Sequence, residues 1–483
     1  MVIPRENLYI NEALKMENLD VFIINYNIEM FSKRILNILL ILNLTSFIIS
    51  APLSICDDCN YLSPQTPSPL DDATCPNFGG TNEPFIDYNV VLKTDATNFD
   101  SVVKNHFEIL ETCLQRGRHN VHELDFSSIK DNNNVIFDFS VKGMIAGYTT
   151  KFTKSFVENY LSKLDDVAIV NENKVIEDPF ENEVVEHAPL VRRAKRPVDK
   201  MPNLDRIDQE NFPLDLKYIY PDSAGAGVDV FVLDTGIFLD HEEFQGRQGK
   251  TKVEKTFCGN NLDDDGHGTM VASIVGGKTL GVASNANIIG VKITGKDCPL
   301  NTQNIINGIT YVMQQKANNP GRKIVINLSA TSSDFAVGEA ASKAVEAGIH
   351  FVAGAGNSNQ NACSFYPGKV ETVTTVAATK ITNPPNRQDW ITDFSNYGKC
   401  VTLFAPGENV PIAGIGSPSE ITSGSGTSLS TPHVSGAIAL MLANSDLTPE
   451  QSKEELLKIA TKDKIQGLDF RKTANLLLRV PSP

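Results

Sequence analysis

The sequence predicts an α/β protein: a large domain with a mainly parallel sheet flanked by helices, preceded by a small α+β module. Three observations predict it. From residue 201 onward, short Val- and Ile-rich runs alternate with helical segments, which is typical of parallel strands covered on both faces. Before residue 180, shorter strand patterns alternate with two helical stripes. The length of 483 residues allows about two to four parts, one of them with a large core.

Composition and charge exclude several classes of protein. With 41% hydrophobic and 21% charged residues, the chain is neither collagen-like, nor disordered throughout, nor a small disulfide scaffold. A net charge of −15 does not indicate binding to nucleic acid or anionic lipid, because phosphate binding requires clustered Lys and Arg. The eight cysteines are too sparse for a main scaffold, but they can close loops in an oxidising compartment.

One stretch near the N-terminus is apolar enough to insert into a membrane. Residues 35–50 read ILNILLILNLTSFIIS, preceded by a Lys-Arg pair and followed by Ala51. Basic residues, a short apolar run and a small exit residue are the parts of a secretory signal. Residues 1–51 are therefore predicted to be an N-terminal extension plus signal peptide, with Met30 as an alternative start. The alternative to a secreted, extracellular protein is one anchored in the membrane through residues 35–50.

A Pro-, Asp- and Asn-rich stretch at residues 52–84 is predicted to be a linker. It carries a CxxC pair, Cys56 and Cys59, without a second pair or a nearby His. A local disulfide or no role is therefore favoured over zinc.

Residues 85–180 are predicted to form the small module. The order of strands and helices suits a ferredoxin-like fold, and the absence of a catalytic cluster in this sequence favours a binding or folding role. In order, the predicted elements are a strand at 88–93, a helix starting near Asn98 or Asp100, a strand at 135–141, a helix with its stripe at Phe152, Phe156, Tyr160 and Leu164, and a strand at 167–170.

Residues 181–200 are polar, first acidic and then basic, and contain RRAKR at 192–196. An exposed run between two compact regions is a typical site of proteolytic cleavage. The stretch is therefore predicted to be a processing linker, cut between about His187 and Lys200. Pro197 disfavours cleavage directly after Arg196.

Residues 201–483 are predicted to form the large domain. In parallel sheets covered by helices, functional sites form at the carboxyl ends of the strands. The predicted strands lie at 228–234, 287–293, 323–329, 349–356 and 370–378, and the predicted helices at 268–275, 302–316, 337–347 and 429–443.

Three segments supply a candidate acid, base and nucleophile at such places. Asp234 ends a predicted strand in VLDTGI, where a carboxylate can hold an imidazole in one tautomer. His267 lies between two glycines in DDDGHGT, accessible from two sides as a general base must be. Ser428 opens an apolar helix in SGSGTSLSTPHVSG, and a helix N-terminus favours developing negative charge.

Each segment has a simpler interpretation. Asp-Thr-Gly also occurs in aspartic proteases, which need a second such motif that this sequence lacks. The acidic run 263–265 is similar to a calcium loop, but the EF-hand spacing and distal Glu are missing. A Ser- and Gly-rich cluster is more often a linker, whereas this one runs directly into an apolar helix.

The three residues occur in the order Asp234, His267, Ser428, and the sequence contains the blocks VLDTGI, DGHGT, GAGNS and SGTSLSTPHVSG. This order and these blocks resemble those of the subtilisin-like serine proteases (subtilases). Their spacing resembles that of the proteinase K-type branch. The resemblance covers residue 204 to the C-terminus, and the small module resembles the subtilase inhibitor-like prodomain. It implies a serine endopeptidase that hydrolyses peptide bonds through an acyl-enzyme and is made as an autoprocessed zymogen. Ser428 would be the nucleophile, His267 the general base and Asp234 the group that orients His267.

The resemblance also implies an oxyanion hole and a substrate cleft. Asn357 matches the oxyanion-hole side chain. Where the family typically shows Ser-Leu-Gly-Gly, residues 329–332 read Ser-Ala-Thr-Ser, so side chains are expected to reshape the cleft. Met270 and Leu429 replace a His and a Met of the family, and both are apolar enough to leave the triad intact. The implied substrate-binding residues are Ser329, Ala330 and Thr331, and Gly354, Ala355 and Gly356.

Disulfides, ligands and partners follow from the same resemblance. It implies disulfides Cys363–Cys400 and Cys258–Cys298. It implies no required cofactor and no catalytic metal; calcium is at most a stabilising ligand, because Thr402 stands where many relatives have a calcium-binding Asp.

The expected partners are protein or peptide substrates and the chain's own prodomain as an intramolecular inhibitor, with no nucleic acid. A monomer is expected. The alternative function is a catalytically silent subtilase-fold protein that retains its prodomain and acts by binding. The intact triad argues against that alternative, and the side chains at residues 330–332 argue for it.

Overall fold

The computed structural model describes residues 83–95, 97–115, 140–176, 184–186, 201–247, 249–383, 387–468 and 471–483. All of them belong to one compact unit, Ala73–Pro483. The predicted signal segment, the linker up to residue 82 and the processing stretch 187–200 lie outside the described residues. Within the described ranges, no helix is long and apolar enough to cross a membrane.

A three-stranded antiparallel sheet forms the N-terminal module. Its strands are β1 (Phe85–Leu92), β2 (Ala146–Thr153) and β3 (Val167–Glu172), in the spatial order β2–β1–β3. Helices α1 (Phe99–Gln115) and α2 (Lys154–Asn159) share one apolar core with this sheet. The predicted first strand, first helix and last strand are confirmed. Of the predicted strand at 135–141, residues 135–139 lie outside the described part.

The predicted helix over residues 152–164 is wrong at its start. Strand β2 continues through Thr153, whose hydroxyl then accepts the Phe156 amide and caps the six-residue α2. Phe152 and Phe156 are both buried in the same apolar core. The apolar spacing is therefore real, but a strand end followed by a short helix produces it as well as one continuous helix does.

The large domain is built on a mainly parallel sheet. The remaining elements are β4 (Val184–Glu186), α3 (Pro202–Ile207), β5 (Val228–Asp234), β6 (Thr251–Thr256), α4 (His267–Gly276), β7 (Asn287–Lys292), α5 (Thr302–Asn318), β8 (Lys323–Leu328), α6 (Phe335–Glu346), β9 (His350–Gly354), β10 (Thr374–Ile381), β11 (Asp389–Ile391), β12 (Leu403–Pro406), β13 (Val410–Ala413), β14 (Ile421–Ser425), α7 (Thr427–Asn444), α8 (Pro449–Ile459), β15 (Thr461–Lys462), β16 (Ile465–Gln466) and β17 (Leu476–Leu477). The central strands of the sheet follow the spatial order β6–β7–β5–β8–β9–β10–β12, all of them parallel.

Helices cover this sheet on both faces, as the sequence predicts. In β5, Val230 and Val232 pack with residues of α4 and α7 on one face. Phe231 and Leu233 pack with residues of α5 and α6 on the other face. Every side chain of β5 is buried, including that of Asp229, so apolar residues stand on both of its faces rather than on alternate positions only.

The polar residues of interest follow neighbouring strands. Strand β5 lies beside β8, and β8 lies beside β9. Parallel strands end at the same edge of a sheet, so the residues at the ends of β5, β8 and β9 lie together there. This edge carries Asp234, Ser329 and the segment 354–357.

Candidate active site

Asp234 and His267 form a buried hydrogen-bonded pair at this edge. Asp234 is the last residue of β5, and His267 is the first residue of α4. The His267 Nδ1–H donates to Asp234 Oδ1 at 2.7 Å, and each side chain is 2% exposed. Burial raises the pKa of the Asp234 carboxyl, while the charge and hydrogen bond of His267 and the Thr235 amide oppose that rise. Because Nδ1 is bonded to Asp234, Nε2 is the ring nitrogen that can exchange a proton with another group.

Ser428 lies in the first turn of α7, which packs against α4. Its hydroxyl donates to the Ser329 carbonyl oxygen at 3.2 Å, and the Ser329 hydroxyl donates to the Ser428 carbonyl oxygen at 3.0 Å. Met270 and Leu429, which depart from the family pattern, share one small buried cluster with residues of α4 and β13. Both replacements are therefore part of an apolar core.

Asn357 is held by the residue that precedes Ser428. The backbone N–H and the hydroxyl of Thr427 both donate to Asn357 Oδ1, each at 2.8 Å. Because Thr427 donates both bonds, the Asn357 amide points its oxygen toward Thr427 and its Nδ2 donor away from it. Thr427 was not singled out by the sequence analysis, although its place directly before Ser428 was a usable signal.

A cavity of about 320 Å³ opens beside Ser428. Gly356 in its wall has a φ of 99°, and a Cβ there would lie 2.4 Å from Asn396 Nδ2, so this position requires glycine. Ala355 is 1% exposed and packs behind the wall, so the structure does not bring this predicted residue to the cavity. The other predicted substrate-binding residues line it, together with Asn357 and Ser428: Ser329, Ala330, Thr331, Gly354 and Gly356.

The unusual Ser-Ala-Thr-Ser segment is accommodated without closing the cavity. Ala330 is buried among the apolar residues that cover α5 and α6. Ser332 pairs through its backbone with Tyr366, donating at 2.8 Å and accepting at 2.7 Å. Thr331 is half-buried in the cavity wall. Thr331 is therefore the substitution best placed to change the shape of the cleft.

The last described residues of the N-terminal module lie along the same cavity. Lys174, Val175 and Ile176 are part of its lining, and Val175 forms a β-bridge with Asn301. Farther along the chain, β4 pairs antiparallel with β14, which ends shortly before Ser428. The pairing of Lys174–Ile176 with Leu300–Thr302 consists of two backbone bonds, Ile176 N–H to the Leu300 carbonyl at 2.8 Å and Thr302 N–H to the Lys174 carbonyl at 3.2 Å. Neither this pairing nor that of β4 with β14 was predicted from the sequence.

Both disulfides implied by the resemblance are present: Cys258–Cys298 and Cys363–Cys400. The hydroxyl of Thr402, at the position of the family's calcium-binding Asp, accepts the Thr375 amide at 3.0 Å. Among the residues that the structure describes, no group of three or more His, Cys, Asp or Glu side chains is arranged to hold a metal ion.

Known proteins are similar to this chain in sequence and in fold. The subtilase family model matches residues 225–473. The extracellular serine proteinase of Thermus sp. (strain Rt41A) is 40% identical over 280 residues, which are 58% of this chain and 65% of that protein. Subtilisin-like protease 3 of Saccharomyces cerevisiae (strain ATCC 204508 / S288c) is 32% identical over 340 residues, covering 67% of each. A solved cold adapted subtilisin-like serine proteinase has a TM-score of 0.52 at 37% identity, covering 58% of this chain and 98% of its own. This chain belongs to the subtilase family.

Proposed function

We propose that the chain is a secreted serine endopeptidase that is made as a zymogen and cleaves itself. The observation that carries the proposal is the packing of α4, which begins with the Asp234-bonded His267, against α7, whose Ser428 lines a cavity together with Asn357. The name of the Thermus relative, an extracellular serine proteinase, supports secretion. The expected partners are protein or peptide substrates.

The reaction proceeds in two halves. The Ser428 hydroxyl oxygen attacks the carbonyl carbon of the substrate, and its proton passes to His267 Nε2. Asp234 stabilises the imidazolium that forms, because its carboxylate already accepts the Nδ1–H. Collapse of the tetrahedral intermediate breaks the C–N bond, and the amine leaves with the proton from Nε2. Water then attacks the acyl-enzyme with His267 again as the base, which releases the acid and restores Ser428.

The negative charge of the intermediate needs preorganised donors. The Ser428 backbone N–H at the start of α7 is one, and the Asn357 amide is the other. Thr427 supports this assignment, because its two bonds to Oδ1 leave no ambiguity about which end of the amide carries the donor.

We propose that residues 85–180 are a prodomain that inhibits the enzyme through its C-terminal tail. The support is the backbone pairing of Lys174–Ile176 with Leu300–Thr302 at the rim of the cavity. Because β4 is in turn paired with β14 just before Ser428, we propose that the first cut falls between Ile176 and Val184. Cleavage between about His187 and Lys200 would then be a second step that trims the new N-terminus.

Replacing Ile176 with proline is expected to slow the first cut about tenfold, because proline removes the N–H that donates to Leu300. The measurement is a time course of the purified full-length precursor on gels, with N-terminal sequencing of each product. The matched control is Val175→Pro, since the Val175 amide takes no part in the two pairing bonds. Equal slowing in both variants would contradict the role of the pairing. First products that begin beyond residue 184 would contradict the proposed position of the cut.

A further inference from the structure

The carboxylate of Asp263 accepts hydrogen bonds from the loops on both sides of the Asp234–His267 pair. It was noted in the sequence only as part of an acidic run. Its Oδ1 accepts the Thr235 hydroxyl at 2.8 Å, the Gly266 N–H at 2.8 Å and the Asp265 N–H at 3.2 Å, and its Oδ2 accepts the Thr269 N–H at 2.9 Å and the Thr269 hydroxyl.

The residues that donate to Asp263 lie close to Asp234 or His267 in the sequence. Thr235 directly follows Asp234, and its N–H donates to Asp234 Oδ1 at 2.8 Å. The Thr235 hydroxyl also accepts the Gly268 N–H at 2.8 Å, one residue after His267. Asp263 therefore joins the end of β5 to the start of α4, the two elements whose relative position sets the Asp234–His267 bond.

The other two carboxylates of the acidic run have different partners. Asp264 accepts Lys292 Nζ at 2.9 Å, and Lys292 is 2% exposed. Asp265 accepts the His267 N–H at 3.2 Å. Each member of the run is thus engaged within the protein, and Asp263 is the one that connects both triad loops.

We propose that Asp263 is a positioning residue: its carboxylate keeps Asp234 and His267 in register for proton transfer, and its negative charge favours the imidazolium that forms during the reaction. This inference rests on the proposed protease function. Both carboxylate oxygens of Asp263 are bonded to residues that lie close to Asp234 and His267 in the chain, so it acts through the pair rather than on the substrate.

The charges around the pair set the expected direction of the pH effect. Three carboxylates place negative charge at the pair. Asp234 belongs to the pair, and Asp263 and Asp265 interact with it electrostatically. Removing one negative charge makes the imidazolium less favourable, so the acid limb of the kcat/KM profile should move to lower pH. Burial lowers the pKa of His350 and His433 to about 4, well below the usual value of an imidazole.

The test compares Asp263→Asn with Asp240→Asn in enzyme matured from the full chain and counted with a fluorophosphonate active-site label. Asp240 is an exposed carboxylate six residues after Asp234, so the control removes a similar charge without the five bonds. For Asp263→Asn we expect kcat to fall roughly 10- to 100-fold, KM to change less than about twofold, and the acid limb to shift downward. Wild-type kcat and an unshifted limb would overturn the inference.

A second pair of variants separates hydrogen bonding from charge and remains informative if Asp263→Asn does not fold. Thr235→Val removes the hydroxyl that donates to Asp263 and accepts the Gly268 N–H, and it keeps every charge, whereas Thr235→Ser retains the hydroxyl. Lower kcat in Thr235→Val with an unshifted limb, and recovery in Thr235→Ser, would support the inference; equal rates in the two would overturn it. If the wild type and Asp240→Asn neither hydrolyse peptides nor react with the label, the proposed protease function itself fails.

Discussion

Replacing Ser428 with alanine is expected to lower peptide hydrolysis by about a millionfold, the loss that removal of a triad serine causes in related proteases. The same change should leave the precursor uncut, because the proposed first cleavage uses the same hydroxyl. The fold should persist, since the Ser428 hydroxyl donates to a single carbonyl oxygen, that of Ser329 at the cavity, and its loss removes little packing. The measurements are the rate on a peptide substrate, and gels with N-terminal sequencing after expression in a host without its own secreted proteases.

Ser430→Ala is the matched control for this experiment. Ser430 lies two residues farther along α7, and its hydroxyl donates to the Ala405 carbonyl oxygen at 3.1 Å. Losing that bond costs about 1 kcal/mol of stability and should leave both hydrolysis and processing near the wild-type level. Persistent hydrolysis in Ser428→Ala would show that another residue is the nucleophile. Identical cutting of both variants and the wild type would show that a host protease, and not self-cleavage, matures the chain.

Replacing Asn357 with leucine is expected to reduce kcat by about 100- to 1,000-fold and to change KM little, the range seen when one oxyanion-hole donor is removed. The reason is that the amide donor acts on the charge that develops in the transition state, while leucine has a similar size and no donor. Steady-state kinetics on a short peptide ester and a peptide amide, normalised to labelled active sites, measure the effect.

Thr427→Val provides a graded comparison for the oxyanion hole. It removes one of the two bonds that hold Asn357 Oδ1 and leaves the bond from the Thr427 backbone N–H. We expect a fall in kcat of about tenfold, smaller than for Asn357→Leu. Equal kcat values in Asn357→Leu and the wild type would contradict the role given to Asn357, and a larger loss in Thr427→Val than in Asn357→Leu would contradict the orientation argument.

Much of the fold was readable from local patterns. Strands β5, β7 and β8 appear within about one residue of the predicted bounds, because buried parallel strands are continuous Val- and Ile-rich runs. Helix α8 was not predicted, although its capping box of Thr448 and Gln451 is visible in the sequence. The helix over residues 152–164 was wrong because periodicity reports apolar spacing and does not locate the junction between a strand and a helix.

The candidate site divides in the same way. Motifs identified Asp234, His267, Asn357 and Ser428 as candidates, since each sits in a short block whose residue types suit its chemistry. The contacts that organise them were not visible: the bonds from Thr427 to Asn357, the bonds to Asp263, and the pairing of Lys174–Ile176 with Leu300–Thr302.

The sequence by itself determined the α/β class and the subtilase blocks, because those features lie in local patterns or in motifs of fixed residue type. The two disulfide pairs were implied by the resemblance to the subtilases. The tertiary structure alone decided which chain segments meet at the cleft and which side chains hold Asp234, His267 and Asn357. Those contacts join residues that lie far apart in the chain, and the tail pairs through backbone N–H and carbonyl groups. Every residue other than proline carries both of these groups, so no side-chain pattern marks the place where such a pairing forms.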